Sequence, residues 1–76
     1  MIYLLEKRHT VGSFKTIYST TDCTKALDEL GKEMKKIPNA QWHPHDGGDP
    51  QEIIACTKTG DAHDNTILRI RRQKED

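Results

Sequence analysis

Residues 22–37 read DCTKALDELGKEMKKI, and the rest of the chain is organised around them. Cys23, Leu27, Leu30, Met34 and Ile37 recur at spacings of four, three, four and three, which lays them along one stripe of a helix. Lys25, Asp28, Glu29, Lys32, Lys35 and Lys36 fall mostly on the opposite side. Asp22 is placed as the N-cap, where its carboxylate can accept from the orphan amides of the first turn. The acids Asp28 and Glu29 precede Lys32, Lys35 and Lys36, an order that suits the helix dipole. Pro38 disfavours helix at Ile37 and ends the element there. Gly31 costs about 1 kcal/mol relative to alanine and marks either a close approach to a strand or a tolerated defect. At about 1.5 Å per residue the helix is roughly 24 Å long. With an apolar stripe on one side only, it needs a sheet to lie on.

The flanking segments supply one. Ile2 to Arg8 reads as a strand, with Ile2 and Leu4 on one face and Tyr3 and Leu5 on the other, so periodicity does not choose its buried side. His9 to Ser13, centred on Gly12, is a hairpin connector, and Phe14 to Ser19 is the partner strand. After the helix, Ala40 to His45 is a short strand carrying the single Trp42, and Pro44 confines it to a sheet edge or to extended coil. His45 to Pro50 is a loop. Glu52 to Lys58 alternates Ile53, Ala55 and Thr57 against Ile54 and Cys56, as a strand does. Thr59 to Asn65 is a polar turn. Thr66 to Arg72 is the last strand, with Leu68 and Ile70 on one face and Ile67, Arg69 and Arg71 on the other, and residues 73–76 should fray. The expected fold is α+β, one helix on a mainly antiparallel sheet of three to five strands in the order β-β-α-(β)-β-β. Residues 1–76 form one small domain.

In 76 residues, 33% hydrophobic, there is material for one thin core and too little to wall a deep substrate cleft. Charged residues make up 32% and sum to zero, which argues against a wholly basic nucleic-acid binder and against an acidic nucleic-acid mimic. The zero conceals a segregation. Residues 46–64 carry Asp46, Asp49, Glu52, Asp61 and Asp64 against Lys58, a balance of −4. Residues 65–74 carry Arg69, Arg71, Arg72 and Lys74 without an acid, a balance of +4. The plain reading is an acidic loop region neutralising a basic strand. The opening run Met1 to Leu5 is too short for a leader or a membrane span, so the expected compartment is the cytoplasm, with no membrane partner. There Cys23 and Cys56 should be thiols.

Three constellations could carry chemistry. His43 and His45 stand at i and i+2 on an extended segment and could chelate a metal, with Asp46 nearby and His63 from a second loop. The spacing resembles the HxHxD signature of metallo-hydrolases in its first two ligands, but position 47 is Gly, so solvated loop histidines are expected and no cofactor is implied. Cys23 begins a helix, where the dipole favours a thiolate. It also continues the apolar stripe, and both it and Cys56 read as buried, inert thiols. No nucleophile motif or phosphate-binding glycine loop is present, so the chain is expected not to be an enzyme. The best recognition candidate is the C-terminal strand. Arg69, Arg71 and Arg72, with Lys7, Arg8 and an exposed aromatic such as Tyr3 or Tyr18, could form a sheet-face surface for a protein partner or for RNA or single-stranded DNA.

A hairpin, a capped helix and a further hairpin in 76 residues, without a catalytic motif, resembles the small accessory proteins that phages encode to bind host machinery. Anti-CRISPR proteins and inhibitors of host polymerases or nucleases belong to that class. The resemblance covers the whole chain through size and element order and carries over no residue. It implies a binding module that occupies roughly 800 Å² on a larger protein or nucleoprotein. The alternatives are a nucleic-acid binder using the basic strand face and a metal-binding protein using the His43/His45 loop.

Overall fold

The computed structural model describes residues 1–9, 12–37, 41–44, 48–59 and 66–74. Their elements are β1 (Ile2–His9), β2 (Lys15–Thr20), α1 (Cys23–Lys35), β3 (Gln41–Pro44), β4 (Glu52–Thr59) and β5 (Thr66–Gln73). This is an α+β arrangement, with one helix and five antiparallel strands in a single open sheet among the described residues. The strands lie in the order β2-β1-β5-β4-β3. No helix among the described residues is long and apolar enough to cross a membrane.

Asp22 caps α1 as its position suggests. Its Oδ1 accepts from the Thr24 amide at 2.9 Å, and its own carbonyl accepts from the Ala26 amide at 3.1 Å. At the other end Glu33 Oε1 accepts from Lys36 Nζ at 2.6 Å, a contact that raises the ammonium above its ordinary pKa. The buried stripe, however, is not the one expected. Ala26 and Leu30 are the buried residues of α1, while Leu27 is 43% exposed and Met34 and Ile37 are half-buried. Leu27 is one residue, or about 100°, from Ala26 around the axis, so a helix resting on Ala26 and Leu30 turns Leu27 to the flank. Cys23, at the first turn, is half-buried rather than buried. Nothing lies within 4 Å of the place a Gly31 Cβ would take, so this glycine marks no close approach.

The helix packs on β1, β2 and β5. The core beneath it joins Leu5, Ala26, Leu30, Leu68 and Ile70, with Tyr3, Tyr18, Met34 and Trp42 packed around the edge. The register follows from these burials. Leu5 stands opposite Ile70 and Tyr18, and Lys7 opposite Leu68. The side of β1 that sequence periodicity left open is therefore settled: Tyr3 and Leu5 face the helix and Leu4 faces away. One extra residue enters β2 at Ile17 and another enters β4 at Ile53, each shifting the register of its ladder. Pro44 lies on β3, an edge strand, where a missing donor costs least. Gln73 pairs with Ile2 and so belongs to the sheet rather than to a frayed tail.

Candidate functional site

With Leu5, Leu68 and Ile70 under the helix, strand alternation sends Leu4, Glu6 and Arg8 of β1 to the opposite face. Ile67, Arg69 and Arg71 of β5 go with them. Pairing adds Glu52, Ala55 and Thr57 from β4, His43 from β3 and Thr16 and Ser19 from β2. No helix among the described residues covers this face.

Its centre is nonetheless shielded. Glu6 is only 8% exposed. Arg69 Nε donates to Glu6 Oε1 at 2.9 Å, and Arg71 Nη1 stands 4.0 Å from the same oxygen. The Arg69 guanidinium lies over Phe14, 3.6 Å from the ring centroid, and Arg8 approaches the same ring at 5.3 Å. A carboxylate taken from water costs several kcal/mol, and here a charge-assisted hydrogen bond and two cations offset that cost. Arg71 Nε sits 3.1 Å from Asp49 Oδ2, close enough for an ion pair but not angled for a hydrogen bond. The loop before β4 is braced for this contact: Asp49 Oδ1 accepts from the Gln51 amide at 2.9 Å, and the Gln51 carbonyl accepts from the Arg72 amide at 2.8 Å. Thus Asp49, from the acidic segment, neutralises an arginine of the basic strand. Three buried polar atoms of the face, Arg8 Nε, Thr57 Oγ1 and Arg71 Nε, have no hydrogen-bond partner among the described residues.

The five expected recognition cations do not share one surface. Arg8, Arg69 and Arg71 stand on the uncovered face. Arg72 alternates to the other side, exposed and opposite Tyr3, and Lys7 belongs by register with Leu68 on the helix side. Tyr3 and Tyr18 pack against the core, so neither is the aromatic of this face. That aromatic is Phe14, which sequence reasoning placed inside a strand without a role. The signal that would have found it is the hairpin register, since Phe14 lies one step beyond the Lys7–Lys15 pair and so beside Arg8.

His43 is exposed on β3, while His45, Asp46 and His63 lie outside the described residues. No group of three potential metal ligands occurs among the described residues. Cys56 is 8% exposed, and burial pushes its thiol up, which keeps it protonated and unreactive. No protein-family model, curated protein or solved structure matches the chain.

Proposed function

We propose that this chain is a small non-enzymatic binding module of the cytoplasm that docks on a larger protein or nucleoprotein through its uncovered sheet face. It would act by occupying a surface, as phage-type inhibitors of host machinery such as anti-CRISPR proteins do. The observation that carries the reading is the charge balance of the face. Among the described residues Arg8, Arg69 and Arg71 share the face with Glu6, Asp49 and Glu52, three cations with three anions, so their formal charges cancel. A surface that tracks a phosphate backbone needs surplus cations, because affinity there comes largely from counterion release. A protein surface of mixed charge needs only complementary placement. Rigidly held arginines beside an aromatic ring are also the groups that dominate protein interfaces.

The second reading, a nucleic-acid binder, rests on Phe14 and the three arginines gathered around β5. A salt titration with a labelled single strand and with duplex separates the two. Weak binding at physiological salt supports protein docking, and sub-micromolar binding with a steep log–log salt slope overturns it. A partner captured from host lysate should be retained by Lys25→Glu and Lys35→Glu, which alter the exposed back of the helix. It should be lost in Ser19→Glu and His43→Glu, which place an uncompensated charge at either edge of the face. Loss in the helix variants instead would move the interface to the other side of the molecule.

A further inference from the structure

At the β1–β2 hairpin end, a cleft of about 320 Å³ is lined by Lys7, Arg8, His9, Lys15 and their neighbours, with no acidic residue among the lining groups. Lys7 and Lys15 are direct cross-strand partners. Like charges set opposite each other on adjacent strands repel, and neither lysine has a carboxylate partner among the described residues. Two lysines in and beside the last turn of α1 show the contrast, with Lys32 paired to Glu29 at 3.2 Å and Lys36 to Glu33 at 2.6 Å. Gly12 turns the chain at φ 125°, a conformation that residues with side chains rarely adopt, and Ser13 adds a hydroxyl to the cleft wall. Ile17, the extra residue of β2 and 41% exposed, forms an apolar wall.

We infer that this cleft binds the phosphate group of a small phosphomonoester, with Lys7 and Lys15 as its charge partners. A phosphomonoester carries close to two negative charges at pH 7, which matches two lysines where a carboxylate would match one. The volume is at the lower end for a small-molecule site, and the Ile17 wall suits the organic part of the ester. By register Lys7 and Lys15 lie on the helix side of the sheet, so the two charge partners of this site lie off the docking face, which the cleft meets at Arg8.

The test is an amide NMR titration at pH 7 with inorganic phosphate, with glycerol 3-phosphate, and with acetate at matched ionic strength. Saturable shifts should gather at Lys7, His9, Ser13 and Lys15 and leave Lys25 and Lys35 unmoved. Lys7→Gln and Lys15→Gln should each weaken binding about tenfold or more, as expected for losing a hydrogen bond to a charged group. Both variants should fold and melt no lower than the parent, because the substitution relieves a like-charge pair. Equal affinity for phosphate and glycerol 3-phosphate would identify free phosphate as the source of the ligand, and tighter binding of glycerol 3-phosphate would identify the ester. Shifts no larger with phosphate than with acetate, or shifts that survive the Lys7→Gln/Lys15→Gln double variant, would overturn the assignment.

Discussion

Glu6 offers the most direct probe of the uncovered face. Its side chain is 10% exposed and holds Arg69, whose side chain is 17% exposed, through a single 2.9 Å hydrogen bond. Glu6→Leu removes the anion and leaves the Arg69 guanidinium against Phe14 with no counter-charge. Breaking one side of a buried pair typically costs about 3–5 kcal/mol. Arg71 keeps Asp49 as a partner and both arginines keep some water, so the expected loss is about 2–4 kcal/mol. For a domain of this size, with roughly 4–11 kcal/mol of total stability, that is a large fraction. Glu6→Gln retains an oxygen that can accept from Arg69 Nε and should lose about half as much. The double variant Glu6→Leu/Arg69→Leu removes both charges together and should fall within about 1 kcal/mol of the parent, since apolar replacement of a buried pair is often neutral. Urea titration followed by far-ultraviolet circular dichroism measures all four proteins, provided the slope stays constant. If Glu6→Leu unfolds within about 0.5 kcal/mol of the parent, the network is solvated and contributes little. The same reasoning disqualifies Arg69→Glu as an interface probe, because it would set a second carboxylate against buried Glu6.

Leu30→Ala should cost about 2–5 kcal/mol while Leu27→Ala costs under about 1 kcal/mol, and equal losses in thermal melts would restore Leu27 to the core. Gly31→Ala should stabilise by up to about 1 kcal/mol, because the helix interior gains propensity and the added methyl meets open space; a lower melting temperature would show a hidden contact. Stability should decline as pH rises above about 8.5, where an unfolded cysteine ionises and folded Cys56, with its raised pKa, does not. Folding is favoured below that range by the protonated thiol, so Cys56→Ala should flatten the slope, and an unchanged slope would assign it to other groups.

The elements and their limits were largely legible because the signals are local. Asp22 before an amphipathic run, Gly12 between two strands, and alternation in residues 66–72 each act over a few residues. The choice of helix face was not legible. Leu27 outweighs Ala26 in hydrophobicity, so the eye draws the stripe through Leu27, whereas close approach to a sheet favours the smaller side chain. The grouping of Arg8, Arg69 and Arg71 over Glu6 needed the β1–β5 register, a pairing between the two ends of the chain that no local pattern encodes. Arg72 was misgrouped for a simpler reason. Adjacent residues on a strand point to opposite faces, so a run of arginines is two surfaces rather than one.

The position of β5 between β1 and β4 also governs how the chain can fold. The β1–β2 hairpin and the β3–β4 pair are joined in the sheet only through the last strand, so a chain leaving the ribosome holds two unconnected halves until residues 66–73 emerge. Until then β1 and β4 each present a bare edge, the state in which strands pair wrongly with other molecules. Pairing Ile2 with Gln73 closes a loop of nearly the whole length. Such non-local contacts place folding in the millisecond-to-second range rather than among the fast helical domains. Once the sheet has closed, the two ends of the chain lie side by side, and linking them while opening the β1–β2 turn would convert that slowest contact into a local hairpin.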